Sequence, residues 1–384
     1  MKPEKISAII LAAGYSSRIK DFKPLLPLGG ITLLERGILL FRTTGVRDIR
    51  VIFGHRAADL LPLLKQRGIR WVVNENDPEG MFSSVIAGIR TLQPDREAFF
   101  LLPVDVPLVR PQTVLDLLEA LSKTPSKILY PVYRGKRGHP PLISTDYLKE
   151  IQCWKGTGGL RAFLEQYESQ SSEVEVADEY ILRGLNTPED FRQFIRRYAH
   201  YAIPSIGECR ALLKNKLGVD PRVLAHSRRV ARVALYLGRA LNRSGGQLNL
   251  QLIVAAGLLH DLAKGQPRHA KTGENILKKL GFPMVAKIVG SHADISSRKE
   301  GIPNEEEVLY LADKMVLDDR IVPLIERYQI VQEQLASDPK AWAAATRRWA
   351  DAFRIKEKIE REMGRKLEFL FTEPLPNDLS FKTR

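Results

Sequence analysis

The chain is poor in cysteine: Cys153 and Cys209 are its only two, far apart and in no motif. That excludes a disulfide scaffold and fits a reducing compartment. Long apolar runs are also missing, and none approaches the length of a membrane span, so no membrane partner is expected. The opening run, Ile6 to Ala13, is short for the apolar core of a secretory signal and is followed at once by Arg18, Lys20 and Lys23. It therefore reads as a strand, and a cytoplasmic location is the expectation. There is no internal repeat and no low-complexity segment. No basic run interleaves with aromatics in the way that tracks a nucleic-acid strand, so nucleic acid is not the expected partner. Formal net charge is nevertheless +14. It is spread out: residues 1–200 carry 28 basic and 23 acidic side chains, and residues 201–384 carry 31 and 22. An anionic substrate, nucleic acid or a membrane surface would each suit that charge, and charge alone does not choose among them.

What is present is apolar material for real cores, 44% of the 384 residues, enough for two or three domains. Residues 5–200 alternate in character. "ISAIILA" (6–12), "IRVIFG" (49–54), "IRWVVN" (69–74), "AFFLLPVD" (98–105) and "ILYPVY" (128–133) read as strands, and helical patterns cover 32–43, 57–66, 82–92 and 112–122. Apolar runs without clean alternation suggest strands covered on both faces, and alternating β and α units suggest a mostly parallel, doubly wound sheet. From 206 onward nearly everything reads as helix: 207–217, 221–242, 248–263, 271–280, 283–290, 304–316 and an amphipathic stretch from about 319 to 364. Pro204, Ser205 and Gly207 punctuate the join. The expected domains are 1–203, 204–365 and a loose tail, 366–384.

The first strand breaks at Gly14 and runs into "GYSSRIKDFK". Ligands of open α/β sheets bind beyond the carboxyl ends of strands, where both Gly14–Lys23 and Asp105 fall. Gly14 permits close backbone approach, and consecutive N–H groups can cradle phosphate oxygens beside Arg18 and Lys23. Taken alone, the stretch reads rather as a solvent-exposed βα turn whose glycine ends the strand. It fits neither G-x-x-x-x-G-K-S/T nor G-x-G-x-x-G.

"LAAGYSSRIKDFKPLLPLGG" (11–30) resembles the signature of nucleotidyltransferases built on a Rossmann-like sheet. In particular it is similar to the MobA-like molybdenum-cofactor cytidylyltransferases. "GMFSSVIAGIR" (80–90), "LLPVDVPLV" (101–109), "RGHPPLIS" (137–144), "GLRAFL" (159–164) and "LNTPEDF" (185–191) follow in family order. The resemblance spans about half of the chain. It implies that the backbone at Leu11, Ala12 and Ala13 holds the base and that Gly14, Ser16, Arg18 and Lys23 surround the phosphates. Gly80, Met81, Ser83 and Ser84 would line the nucleotide cleft, and His139 would face the acceptor. Asp105, with Asn186 as a second ligand, would hold Mg²⁺. Without the resemblance, Asp105 is a turn aspartate before Pro107 and His139 a structural loop histidine. The Ala12-Ala13 pair resembles the cytidylyl rather than the guanylyl branch, so CTP is expected before GTP. The implied chemistry is attack of an acceptor phosphate, that of molybdopterin or another phosphorylated small molecule, on the α-phosphorus, with pyrophosphate leaving. A molybdoenzyme or its chaperone is the implied protein partner. Where the family has Arg-Met-Gly, this chain has Arg18-Ile19-Lys20, which bears on substrate identity rather than reaction class.

In the helical half, His226, His260-Asp261 and Asp313 lie in apolar helical text. Buried imidazoles and carboxylates need partners. A divalent metal satisfies all four, and this donor set suits Mn, Fe, Zn or Ni, with Mg allowed. A single such histidine would read as a hydrogen-bonded core residue. The pattern H…HD…D resembles the HD phosphohydrolase superfamily, which implies an all-α bundle and metal-dependent hydrolysis of a phosphate ester or nucleotide, with Asp261 catalytic. His269 and His292 fall where some branches hold a second metal. Lys264 and Arg229 are candidates for the substrate phosphate, or plain helix-surface charges.

The combined expectation is a Rossmann-like α/β nucleotidyltransferase domain followed by an HD helical bundle in a bifunctional enzyme. A sugar-phosphate transferase with a nucleotide-sensing HD half is the alternative. An RNA-processing fusion would belong to another transferase fold, marked by Gly-Ser and a D-x-D pair, which this sequence lacks.

Overall fold

The computed structural model describes residues 3–13, 21–54, 56–76, 80–295, 301–372, 375, 378 and 379. They form two compact units, Met1–Tyr201 and Ala202–Arg384.

The first unit is built on one sheet. Its strands are β1 (Ile6–Leu11), β4 (Asp48–Phe53), β5 (Arg70–Val73), β6 (Ala98–Pro103), β7 (Ile128–Tyr133), β8 (Lys136–Arg137), β9 (Leu142–Ser144) and β10 (Ser171–Glu175), while β2 (Pro27–Leu28) and β3 (Ile31–Thr32) make a separate ribbon. The order is β10-β7-β9-β6-β1-β4-β5, with β8 on β7. Helices α1 (Leu33–Thr43), α2 (Ala57–Arg67), α3 (Met81–Ile89), α4 (Pro111–Leu121), α5 (Leu148–Cys153), α6 (Gly159–Glu165) and α7 (Pro188–Tyr198) join them. All six residues of β1 are buried between two parallel neighbours, and Ser7, its one polar residue, donates to Asp48 Oδ2 at 2.6 Å. In register, Leu11 faces Ile52 of β4 and Pro103 of β6. The Val104 N–H donates to the Leu11 carbonyl at 2.9 Å. This pairing brings Ala12-Ala13 and Val104-Asp105 out side by side at the carboxyl ends of two central strands. Behind them, Ile9, Leu11, Val85, Phe99, Leu101 and Phe163 form one packed core. Each such side chain contributes on the order of 1.5–3 kcal/mol.

The second unit is helical: α8 (Ile206–Ala211), α9 (Pro221–Arg243), α10 (Leu250–Leu259), α11 (His269–Lys279), α12 (Pro283–Ser291), α13 (Glu305–Lys314), α14 (Leu324–Gln334), α15 (Pro339–Met363) and α16 (Phe369–Thr372). The apolar α10 is the central helix, buried from Leu252 to Leu259. It lies so close to α9 that a Cβ on Gly257 would fall 2.8 Å from the Ala231 Cα. No helix among the described residues is long and apolar enough to cross a membrane.

Several expectations need correction. The strand read as 98–105 ends at Pro103; the sheet is mostly parallel as expected, with β9 antiparallel to β6 and β7. Residues 212–216 form a π-helical turn where one helix was expected over 207–217. The stretch 319–364 is broken: β11 (Val316–Leu317) and β12 (Arg320–Ile321) form a hairpin, and Pro323 and Asp338 cap two separate helices. Among the described residues from 366 onward, Leu367, Leu370 and Leu379 are buried.

Candidate functional site

Beyond the carboxyl ends of β1 and β6, Leu11, Ala12, Ala13, Lys23, Gly80, Met81, Ser84 and Asp105 line a cavity of about 250 Å³. A second cavity, of about 830 Å³, is lined by Met81, Phe82, Tyr130, His139, Leu160, Asp105 and Asn186 among others. Asp105 and Met81 therefore stand on a wall common to both. Lys23 Nζ lies 3.9 Å from Asp105 Oδ2. Burial pushes the Asp105 carboxyl above its ordinary range, against the pull of Lys23. The Leu185 N–H holds the Asp105 carbonyl at 2.8 Å. A Cβ on Gly184 would lie 3.3 Å from Asn186 Nδ2 and 4.0 Å from Asp105 Oδ2, so the two side chains share one space. The Asp105 carboxylate could accept Mg²⁺, and Asn186, which turns its Nδ2 to this space, would join it through its oxygen once the amide is flipped.

The His139 ring also borders the larger cavity. Its Nδ1 is buried without a hydrogen-bond partner, and burial lowers its pKa, favouring a neutral ring. Arg137 lies there too, but its guanidinium is held by Glu168 and Glu173 over the Tyr130 ring. Gly14, Ser16 and Arg18 lie outside the described residues. Ser83 opens on neither cavity. Its hydroxyl is engaged with the carbonyls of Asn76 and Gly80, which ties the first turn of α3 to the segment before it. Sequence reasoning missed Asn74, whose amide donates to Ser83 at 2.9 Å and Ser84 at 3.0 Å and so fixes the α3 end. Its place at the end of the β5 run was the available signal.

In the second unit five elements converge. His226 projects from α9, His260 and Asp261 follow α10, His269 opens α11, His292 closes α12, and Asp313 lies in α13. Asp261 turns one carboxylate oxygen to each histidine pair. Its Oδ2 lies 3.5 Å from His260 Nε2 and 3.9 Å from His226 Nε2. Its Oδ1 lies 3.5 Å from His269 Nε2 and 3.6 Å from His292 Nε2. Asp313 Oδ1 completes the first group, 3.2 Å from His226 Nε2 and 3.5 Å from His260 Nε2. Backbone carbonyls orient three rings through Nδ1: Asp318 for His226 at 2.9 Å, Gly257 for His260 at 2.9 Å, and Val289 for His292 at 2.6 Å. Those acceptors assign the Nδ1–H tautomer and leave Nε2 facing the centre.

Burial penalises a charged His260, yet Asp261 and Asp313 push its pKa up to about 10. Burial likewise opposes ionised Asp261 and Asp313, but His260, the other facing histidines and the lysines hold both far below the usual range. Burial and His292 lower the pKa of His269. His260 Nε2 is a buried atom without a hydrogen-bond partner. An orphaned imidazole nitrogen between two carboxylates fits a divalent cation, and two groups could each hold one: His226, His260 and Asp261, and Asp261, His269 and His292. All six ligand candidates named in the sequence are thus brought together. Lys264 is 2.6 Å from Asp261 Oδ2. Arg229 instead donates to the Asp319 carbonyl at 2.7 Å and does not line the cavity that opens around these histidines. Sequence reasoning missed the Asp318 carbonyl, a backbone contribution that no side-chain identity announces.

A family model described as MobA-like NTP transferase domain matches residues 8–172, and one described as HD domain matches residues 223–317. Molybdenum cofactor cytidylyltransferase of Escherichia coli is 29% identical over 195 residues, which are 50% of this chain and 97% of that protein. Bifunctional protein GlmU of Coxiella burnetii is 35% identical over 123 residues, 32% of this chain and 26% of that protein. The chain thus spans about a quarter of the length of the first curated relatives it matches. Among solved structures, Rv0371c of Mycobacterium tuberculosis has 23% identity and a TM-score of 0.46, covering 51% of this chain and 100% of that one. The chain joins a MobA-like NTP transferase domain, in its α/β first unit, to an HD domain in its helical second unit.

Proposed function

We propose that the first unit transfers a cytidylyl group from CTP to the phosphate of molybdopterin, releasing pyrophosphate. The reading is carried by one observation, the position of Asp105 on a wall common to two cavities with Lys23 beside it. The smaller cavity, with its strand-end backbone, suits the nucleotide, and the larger, with Phe82, Tyr130 and Leu160, suits the body of the acceptor. Lys23 would neutralise charge developing on the departing phosphates, and the neutral His139 would hydrogen-bond the acceptor. An acceptor phosphate is already anionic, so the task is alignment and charge stabilisation rather than proton removal. A magnesium ion, when bound at Asp105 and Asn186, would supply positive charge to the phosphoryl oxygens. The near full-length match to a molybdenum cofactor cytidylyltransferase supports this acceptor.

We further propose that the second unit hydrolyses a phosphate ester or phosphoanhydride. Three of its four histidines are fixed by carbonyls with Nε2 inward, and Asp261 faces both groups. One or two divalent ions held there would supply Lewis-acid charge for hydrolysis. The scarcity of cysteine supports a reducing, cytoplasmic setting.

The test is pyrophosphate release by the full chain with Mg²⁺, CTP or GTP, and molybdopterin or a panel of sugar phosphates. CTP with molybdopterin should give the fastest release. Turnover with sugar phosphates and none with molybdopterin would overturn the acceptor. Phosphate release from phosphorylated compounds with Mn²⁺ should occur and should stop on chelation; its absence across a broad panel would overturn the hydrolytic reading.

A further inference from the structure

The cavity around the histidines has a volume of about 600 Å³, and its wall includes cations that serve no ligand carboxylate. Lys264 and Lys314 are committed, 2.6 Å from Asp261 Oδ2 and 2.8 Å from Asp313 Oδ2. Arg327 of α14 and Arg348 of α15 are not engaged with those ligands, yet open onto the same space. Arg327 donates to the Val316 carbonyl, which anchors one side of its guanidinium and leaves further N–H donors available. A guanidinium fork matches two phosphate oxygens. The lining is also notable for what it lacks. Its apolar members are small or aliphatic, Val223, Ala225, Ala293 and Leu317, and among the described residues no Phe, Tyr or Trp lines it. Among the described residues the aromatic rings on its wall are the imidazoles of His226, His269 and His292.

We propose that this cavity takes a diphosphate, one phosphoryl group against the histidine–aspartate set and the second against Arg327 and Arg348, and that its ligand is inorganic pyrophosphate. The proposal rests on the hydrolytic reading of the second unit. In the reaction, a water oxygen forms a bond to one phosphorus and the bridging P–O bond breaks. The electron pair leaves with the second phosphate, and the water's proton passes to a phosphate oxygen or to solvent. Two orthophosphates result, and no oxidant or further reactant is needed. The chemistry also places the step. Cytidylyl transfer breaks one phosphoanhydride and makes another, so it lies near balance, and removal of the released pyrophosphate draws it forward.

The test is calorimetric titration of the full chain, kept metal-free with a chelator, using pyrophosphate, methylenediphosphonate, orthophosphate, CTP and GTP. Each titration is repeated with Arg348→Ala and with Arg327→Lys, which keeps the charge but loses the fork. The first unit is the same in every chain, so the difference between chains isolates this cavity. Pyrophosphate and methylenediphosphonate should bind alike, and Arg348→Ala should weaken both by roughly tenfold, the scale of one lost charge-assisted pair. Orthophosphate should bind at least about tenfold more weakly. Unchanged pyrophosphate affinity in both variants would overturn the proposal. So would orthophosphate binding as tightly as pyrophosphate, or an arginine-sensitive preference for CTP or GTP. Phosphate release from nucleotides but not from pyrophosphate, with Mn²⁺ restored, would keep the hydrolytic reading and sink this ligand. Arginine-sensitive pyrophosphate binding without hydrolysis would keep the ligand and sink the hydrolytic reading.

Discussion

His260 Nε2 stands 3.5 Å from Asp313 Oδ1, while Nδ1 of the same ring is tied to the Gly257 carbonyl at 2.9 Å. The two contacts divide the ring between scaffold and chemistry. The carbonyl belongs to the turn that presses α10 onto α9, so helix packing itself aims the free nitrogen at the carboxylates.

That nitrogen holds a proton in the metal-free protein, where the carboxylates push the His260 pKa up to about 10. A raised histidine pKa stabilises the fold below the ordinary value near 6.5, and the contribution is lost as pH rises through about 10. A divalent cation must displace the same proton. Metal-free protein should therefore lose thermal stability between pH 7 and pH 10, and Mn²⁺ should release about one proton per first ion bound at neutral pH. Calorimetry in two buffers of different ionisation enthalpy measures the proton count; a count of zero would contradict the assignment.

Asp105 presents the opposite electrostatic problem. Burial raises its pKa, so the carboxylate costs stability at neutral pH, and that cost disappears as pH falls through the raised value. Asp105→Asn should thus melt at a higher temperature than the parent at pH 7, with the gap closing under acid. The same variant should lose cytidylyl transfer by a factor on the order of 100 or more, since it removes the charge that would hold Mg²⁺. Melting curves across pH, paired with pyrophosphate release, check both halves of the expectation.

Much of the fold and of both sites is legible in the amino-acid sequence, and the exceptions share a cause. The strand runs around Ile6–Leu11 and Ala98–Pro103 announce themselves through local composition. The His226, His260-Asp261 and Asp313 pattern is carried by side-chain identity along three helices. Strand β9 is three residues long, and its antiparallel pairing with β6 and β7 is a long-range choice. The amphipathic pattern of 319–364 continues through Pro323 and Asp338, so the period concealed two caps. The Asn74 lock on Ser84 and the reach of Arg327 and Arg348 into the cavity depend on tertiary geometry alone.

The second unit also contains a buried ion pair that fastens α15 to α13, the helix of Asp313. Lys358 Nζ lies 2.8 Å from Glu307 Oε2, with side chains only 6% and 3% exposed. Removing one partner leaves a desolvated charge, at a cost of about 3–5 kcal/mol. Lys358→Met should therefore lower the melting temperature sharply. The pair Glu307→Gln with Lys358→Met should recover most of the loss, because the glutamine keeps an acceptor for the Asn304 N–H that Glu307 now caps at 3.2 Å. Chemical denaturation of the single and double variants measures the recovery.

Asp261 is the only side chain present in both candidate metal groups among the described residues, so its loss should act on both. Asp261→Ala removes the oxygen facing His226 and His260 together with the oxygen facing His269 and His292. It also frees Lys264, whose cation would then stand in the vacated space and repel a divalent ion. Bound Mn²⁺, counted by elemental analysis after dialysis, should fall by at least about tenfold, and phosphate release should fall with it. His269→Ala should affect only the second group and leave part of the metal in place. Pyrophosphate release from CTP should continue in both variants, because Lys23 and Asp105 belong to the first unit. Loss of transfer in Asp261→Ala, with the fold intact by circular dichroism, would mean that the two sites are coupled.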